Sequence, residues 1–194
     1  MTANNLCDRL RIAVVIGSVR TPRLADPLAG WLERELAALD WADIDMIDLA
    51  SVSLPMRELR ARGAAPSPIA GRLAAADGFV LLTPEYNHSF PASVKNMIDW
   101  HLIEWAYKPV GFVAYGSSGG IRAVEQLRAV FPELRAATVR ESVLLAMAWN
   151  HLDTTGRFNP PPGTVEALHA MMNELATWAR ALRSARAVDL VGRP

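Results

Sequence analysis

The sequence contains very little cysteine, and neither sign of charge is in excess. Of its 194 residues only Cys7 is a cysteine, which excludes an internal disulfide and a metal site built on cysteine pairs. Basic and acidic side chains balance at 20 each, so no net field favours nucleic acid or an anionic membrane. Scarce cysteine is typical of reducing compartments, and we expect a cytoplasmic protein without a nucleic-acid partner.

Long apolar segments and the pattern of a signal peptide are also missing. The longest apolar runs, such as 143–149, are far shorter than the ~20 residues that a membrane-spanning helix needs. Residues 1–9 lack the basic-then-apolar pattern of a signal peptide. We therefore expect no membrane insertion.

What the sequence does contain is a regular alternation of short apolar runs and amphipathic segments. This alternation predicts a parallel sheet with helices on both faces. The predicted strands are 11–17, 44–49, 78–83, 109–115 and 136–147, and the predicted helices are 22–39, 69–76, 91–104, 119–131 and 164–183. In the first helix, Thr21 is the predicted N-cap and Pro22 the first helical residue.

Five strands joined in this way fit a flavodoxin-like α/β fold, a three-layer sandwich with strand order 2-1-3-4-5. We expect one domain over residues 1–194, with loose tails at 1–9 and 185–194. Sites in such sheets lie at the carboxyl ends of the strands, near the switch point between strands one and three. The loops that follow Gly17, Thr83 and Tyr115 should therefore carry the site.

The first loop, residues 17–23, has the chemistry of an anion site. Free N–H groups and the positive end of a helix meet there. Ser18 adds a hydroxyl group, and Arg20 and Arg23 add fork-shaped cations that suit phosphate oxygens. Because the loop is neither Gly-x-Gly-x-x-Gly nor a Walker loop, one monophosphate fits better than a pyrophosphate. A capped turn with solvated arginines is the alternative.

The second loop lies between Pro84, which ends a strand, and Pro91, which suits a helix start. A flat heteroaromatic ring needs a stacking surface and a few fixed polar groups at its edge. Tyr86 and the backbone of residues 85–87 offer both. The same residues also suit an ordinary turn.

The third loop, residues 115–120, is rich in glycine, which allows a ligand to approach the backbone closely. It also reads Gly-x-Ser-x-Gly around Ser118, and Asp153 and His169 follow in the order of a serine hydrolase. Only one predicted strand follows this motif, which is too little sheet to present that acid and histidine. The hydrolase reading also leaves the first two loops without a role.

Together the three loops resemble the NADPH-dependent FMN reductase family. The resemblance covers roughly residues 11–182 and is carried by Gly17-Ser-Val-Arg20, Pro84-Glu-Tyr-Asn-His-Ser-Phe-Pro91, Lys95-Asn-x-Ile-Asp-Trp100 and Gly116-Ser-Ser-Gly-Gly-x-Arg122. Two positions depart from it. Pro22 stands where glycine is common and removes one N–H, and Val94 replaces a commoner leucine.

The resemblance implies a bound FMN and assigns residues to each part of it. The phosphate would be held by Ser18, Arg20 and Arg23. The residues implied beside the isoalloxazine ring and ribityl chain are Pro84, Glu85, Tyr86, Asn87 and Ser89. The residues implied on the pyrimidine side of the ring are Ser117, Ser118, Gly119 and Gly120.

The resemblance also implies an activity. An NAD(P)H oxidoreductase of this kind passes a hydride through N5 of FMN to a small acceptor such as a quinone, free flavin, azo compound or metal oxyanion. No side chain need act as nucleophile or base, and no metal is expected. The resemblance also implies a homodimer or homotetramer. The rival function is an electron-transfer flavodoxin, but those carriers tend to be strongly acidic, whereas this chain is neutral.

Overall fold

A five-stranded parallel sheet forms the centre of the protein, in a computed structural model that describes residues 9–59 and 66–187. The strands are β1 (Leu10–Ile16), β2 (Ala42–Asp48), β3 (Gly78–Pro84), β4 (Pro109–Gly116) and β5 (Ala137–Ala146). Their order is β2-β1-β3-β4-β5, and every neighbouring pair is parallel. The predicted flavodoxin-like topology is confirmed.

Helices cover both faces of this sheet. They are α1 (Ala25–Leu36), α2 (Ala70–Ala75), α3 (Ala92–Trp100), α4 (Ile121–Val130) and α5 (Thr164–Ala187). One hydrophobic core holds α1 and α5 against the sheet, and a second holds α2, α3 and α4 against the other face. Because β3 has a helix layer on each side, all seven of its residues are buried, which explains its continuous apolar sequence.

Aromatic contacts anchor each core. On the face of α1 and α5, the rings of Trp31 and Phe158 meet edge-on at 5.4 Å, so the segment before α5 packs against α1. On the other face, the centre of the Trp105 ring lies 4.5 Å from that of Phe79 and 5.4 Å from that of Phe131. These contacts join the segments outside the strands to the two helix layers.

The predicted start of the first helix is wrong. Thr21 and Pro22 precede α1, which begins at Ala25 after an N-cap at Leu24 that has no side-chain hydrogen bond. The bond between Thr21 and Pro22 is cis. The loop after β1 is therefore longer than predicted, and Arg23 belongs to that loop instead of the first helical turn.

The carboxyl end of α5 also differs from the prediction. Residues 185–187, assigned to a loose tail, are helical. Arg186 explains this extension, because its guanidinium bonds the Tyr107 carbonyl at 2.6 Å and the Asp77 carboxylate at 2.9 Å. At the other end, Arg9 pairs with Asp43 at 2.8 Å. The remainder of both predicted tails, 1–8 and 188–194, lies outside the described residues.

α3 ends at Trp100, four residues earlier than the sequence predicts, and the buried ring of the next residue, His101, joins two segments. Nδ1 lies 2.7 Å from the Met97 carbonyl oxygen and Nε2 lies 2.7 Å from Ser67 Oγ. A carbonyl only accepts, so Nδ1–H donates to Met97 and the neutral Nε2 accepts from the Ser67 hydroxyl. Burial lowers the pKa of His101 below its usual 6.5.

We expect this histidine to make the stability of the protein depend on pH. Below about pH 6.5 the unfolded chain binds a proton at residue 101 that the folded chain resists. The free energy of unfolding should therefore fall as the pH drops from about 6.5 toward the lower pKa of the folded state. Urea unfolding between pH 8 and pH 5 measures this slope.

The control is the exposed His169 on α5. His101→Asn should flatten the slope below about pH 6.5, whatever its stability at pH 8. His169→Asn should leave the slope unchanged. An equal slope in His101→Asn and the unaltered chain would contradict the assignment.

A bulge interrupts β5 at the edge of the sheet. Val110 pairs with Thr138 but Phe112 with Ser142, so β5 carries extra residues there. Arg128 of α4 donates to the carbonyl oxygens of residues 139 and 140. The Glu174 carboxylate of α5 accepts the N–H groups of residues 140 and 141, each at 2.9 Å. Both covering layers thus hold the bulge.

Among residues 9–59 and 66–187, no helix is long and apolar enough to cross a membrane. The same ranges contain no cluster of three or more histidine, cysteine, aspartate or glutamate side chains that could hold a metal ion.

Candidate functional site

The three predicted loops meet at a cleft of about 330 Å³ at the carboxyl edge of the sheet. Six of the residues predicted from sequence line it, namely Arg20, Arg23, Pro84, Glu85, Tyr86 and Ser117. Five lining residues were not predicted, namely Pro22, Leu24, Tyr115, Gly116 and Trp149. Of these, Trp149 follows β5 and is 45% exposed, so an aromatic face stands at the mouth of the cleft.

The first loop leaves β1 through a tightly packed glycine. The Gly17 N–H donates to the Leu82 carbonyl at 2.8 Å. A side chain at this position would place its Cβ 2.5 Å from Val94 Cγ2 on α3. Val94, one of the two departures from the family pattern, thus packs directly beneath the loop. Four N–H groups of this loop have no hydrogen-bond partner within the described residues, namely those of Ser18, Val19, Arg20 and Thr21.

The two arginines of this loop have different surroundings. The Arg20 guanidinium lies 3.6 Å from the centre of the Tyr86 ring and forms no ion pair with any described residue. Tyr86 in turn places its hydroxyl 2.9 Å from the Oγ atom of Ser18, which is 1% exposed. Arg20, Tyr86 and Ser18 thus form one group, with the Arg20 cation available to a ligand.

Arg23, in contrast, is occupied by the protein itself. Its Nη1 donates to the Ser18 carbonyl at 2.7 Å and to Asp48 Oδ1 at 2.6 Å, Nη2 pairs with the other Asp48 oxygen, and Nε bonds Asp26 at 2.8 Å. The hydrogen bonds with Asp48 raise the pKa of Arg23 and lower that of Asp48. The prediction that Arg23 binds phosphate directly is therefore weakened by its partners.

The second loop is a tight hairpin. The backbones of Tyr86 and Ser89 exchange two hydrogen bonds of 2.8 and 3.0 Å. Between them Asn87 and His88 both have positive φ, at 50° and 71°, as in a type I′ turn. Asparagine tolerates this conformation well, which explains its place at the tip. The exposed amide of Asn87 is left without a partner among the described residues.

Two predicted ligands of this loop use their polar groups within the protein. The Glu85 carboxylate accepts the Arg122 backbone N–H at 3.1 Å and its Nη1 at 2.6 Å, and the Glu85 N–H donates to the Tyr115 carbonyl at 2.8 Å. The Ser89 hydroxyl donates to the Gln126 side chain. Both side chains therefore shape the loop, and the polar groups that these bonds use are not available to a ligand.

The third loop places amides at the start of α4. Gly119 and Gly120 have φ of 73° and 81°, a conformation that favours glycine. Within the part of the chain that the structure describes, the N–H groups of Ser117, Ser118 and Gly120 have no partner. Donors at a helix N-terminus suit an electron-rich ligand edge.

Tyr115 adds an unpartnered polar atom to the cleft. Its side chain is 5% exposed, and its hydroxyl has no hydrogen-bond partner among residues 9–59 and 66–187, although Ser18 lies beside it. Burial raises the pKa of this phenol well above its usual value, so the hydroxyl stays a donor. Free amides, a free arginine, an orphaned hydroxyl and aromatic walls together fit a phosphate monoester joined to a flat ring, as in FMN.

The groups of the hydrolase alternative are not brought together. Ser118 Oγ lies 3.3 Å from the Arg122 guanidinium. The Asp153 carboxylate accepts hydrogen bonds from the hydroxyl and N–H of Thr155, which help to lower its pKa to about 2. His169 is exposed on α5, and the described residues offer it no hydrogen bond. A catalytic triad is therefore absent from these three positions.

Comparison with known proteins identifies the family of the chain. The model of the NADPH-dependent FMN reductase family matches residues 10–150. The chain is 35% identical over 147 residues to an NAD(P)H-dependent FMN reductase of Schizosaccharomyces pombe, covering 70% of this chain and 73% of the relative. It is 28% identical over 180 residues to a 2-hydroxy-1,4-benzoquinone reductase of a Burkholderia species, covering 88% and 97% of the two chains.

A solved structure supports the fold. The flavoenzyme NAD(P)H:(acceptor) oxidoreductase FerB of Paracoccus denitrificans superposes with a TM-score of 0.70 at 20% identity. The alignment covers 89% of this chain and 98% of that one. At this low identity the likeness concerns the fold alone.

Proposed function

The chain belongs to the NADPH-dependent FMN reductase family, and from that premise we propose that it holds FMN in the cleft between its three loops and reduces a small acceptor with NAD(P)H. The observation that carries this proposal is the group of unpartnered amides from Ser18 to Thr21 beside the free Arg20 guanidinium. No other described loop combines free amides with an unpaired arginine at the switch point of the sheet.

The first loop would hold the phosphate. Its N–H groups and the Ser18 hydroxyl would donate hydrogen bonds, and Arg20 would add a charge-assisted contact. The unpartnered hydroxyl of Tyr115 offers one further donor toward the ribityl chain. Arg23 contributes through the Ser18 carbonyl that it binds.

The second and third loops would hold the ring. Pro84, the backbone of Glu85, Tyr86 and Asn87 would flank the isoalloxazine, while Ser89 keeps the hairpin closed through its bond to Gln126. The N–H groups of Ser117, Ser118 and Gly120 would stabilise negative charge on the pyrimidine edge, and Gly119 lets the loop approach the ring closely.

When bound, FMN supplies the hydride chemistry, accepting a hydride from NAD(P)H at N5 and passing reducing equivalents to the acceptor. The chain's own residues bind and orient, and we assign no side chain as nucleophile or general base. The aromatic face of Trp149 at the cleft mouth suits a planar acceptor such as a quinone, free flavin or azo compound.

The experiment that tests this proposal starts from protein freed of flavin. Added FMN should bind at micromolar concentration, and the complex should oxidise NADPH or NADH when a quinone, free flavin, azo dye or chromate is supplied. A p-nitrophenyl ester should not be hydrolysed. Protein without FMN is the control and should oxidise neither nucleotide.

Each contrary outcome has a definite meaning. Absence of FMN binding would overturn the proposal itself. FMN binding without NAD(P)H oxidation by any acceptor would favour an electron-transfer carrier. Ester hydrolysis that does not depend on FMN would favour the hydrolase.

The assembly and location of the protein are part of the same proposal. We infer a homodimer or homotetramer in the cytoplasm. Support for an oligomer comes from apolar side chains left exposed on one chain, among them Ile103 after α3 and Ile121, Met147 and Trp149 around the third loop. The single cysteine supports a reducing compartment.

A further inference from the structure

Two carbonyl groups at the start of the first loop are held by side chains from distant parts of the chain. The Ser93 hydroxyl of α3 donates to the Gly17 carbonyl at 2.6 Å. Arg23 Nη1 donates to the next carbonyl, that of Ser18, at 2.7 Å. In a trans peptide the C=O and the following N–H point in opposite directions. The N–H groups of Ser18 and Val19 are therefore turned away from Ser93 and Arg23.

Arg23 can hold the Ser18 carbonyl because β2 fixes its guanidinium. Asp48 is the last residue of β2 and pairs in register with Ile16 at the end of β1. Both of its carboxylate oxygens bind Arg23, and one of them also accepts the Ala50 N–H at 2.9 Å. The Arg23 side chain is only 13% exposed. The arginine is thus clamped between β2 and the loop.

We propose that Arg23 and Asp48 form a positioning pair, which aims the amides of the first loop at the FMN phosphate without contacting it. The inference rests on the proposed function, because it concerns how that site holds its cofactor. It replaces the direct phosphate contact that the sequence indicates for Arg23.

The two roles of Arg23 predict opposite effects for Asp48→Asn. This substitution removes a negative charge near the bound phosphate and frees Arg23. If Arg23 binds the phosphate, FMN should bind as tightly as before or more tightly. If Arg23 is a positioning residue, the loop loses its anchor and FMN should bind about tenfold more weakly.

The experiment measures the dissociation constants of FMN and riboflavin by quenching of flavin fluorescence. We expect Asp48→Asn to weaken FMN about tenfold and leave riboflavin unchanged, because only FMN has the phosphate. Asp45→Asn is the control, since Asp45 is on the same strand, pairs with Arg72 and carries the same charge. It should change neither affinity. A general loss of folding would instead weaken both flavins.

Arg23→Lys gives a second test that keeps the charge. Lysine cannot bind Asp48 through two nitrogens while also holding the Ser18 carbonyl. We expect FMN to weaken about tenfold here too, with riboflavin unchanged. Unaltered FMN affinity in either variant would overturn the positioning pair. Failure of the unaltered chain to bind FMN would instead overturn the cofactor assignment, so the two failures are distinguishable.

Discussion

Arg20→Ala should weaken FMN binding about 10- to 100-fold while leaving riboflavin binding nearly unchanged. Arg20 is the cation of the first loop that has no ion-pair partner among the described residues, and it lies over the Tyr86 ring beside Ser18. A charge-assisted hydrogen bond to phosphate contributes about 1.5–3 kcal/mol, which corresponds to this range. Titration with each flavin, followed by fluorescence, measures the difference.

Two controls accompany this test, a change of ionic strength and a substitution of a distant arginine. The advantage of FMN over riboflavin should shrink at high ionic strength in the unaltered chain and less so in Arg20→Ala. Arg34→Ala removes the same charge from the exposed side of α1 and should change neither affinity. Full FMN affinity in Arg20→Ala would show that the amides alone hold the phosphate.

Gly120→Ala should destabilise the protein by about 2–5 kcal/mol. The new Cβ would lie 2.6 Å from Ala114 Cβ and 2.8 Å from the Tyr115 nitrogen, both in the buried strand β4. Those atoms cannot move without disturbing the sheet. The φ of 81° adds the cost of a left-handed conformation. Thermal or urea unfolding measures the loss.

Gly156→Ala separates the two causes. Gly156 has nearly the same φ, 80°, but a Cβ there would meet nothing within 4 Å. Its free energy of unfolding should fall by only about 1–2 kcal/mol, the cost of a left-handed conformation. Equal stability of the two variants would show that the third loop adjusts freely and that close packing does not explain Gly120.

The sheet was predictable because its strands are buried from both sides. Continuous apolar residues such as those of β3 have no other stable place in a protein of this size. Helix ends were less accurate, since they depend on distant groups. Pro22 lies outside α1, and Arg186 keeps α5 helical through a carboxylate more than 100 residues away. Neither the start of α1 nor the end of α5 can be read from the residues next to it in sequence.

The site was predictable in place but not in the roles of its charged residues. The switch point located all three loops. Arg20 and Arg23 lie in the same loop, however, and only the register of β1 with β2 reveals that Asp48 occupies Arg23. A carboxylate at the carboxyl end of the strand next to β1 was the available signal. Trp149 and Tyr115 were missed because aromatic residues in or after a strand usually indicate packing.

The bulge in β5 bears on how the molecule avoids unwanted association. An edge strand exposes backbone groups that can recruit a strand from another molecule and begin aggregation. In β5 the carbonyl groups of residues 139 and 140 are taken by Arg128, and the N–H groups of residues 140 and 141 by Glu174. At this point of the edge those four groups are already bonded, so the bulge disfavours pairing with a foreign strand.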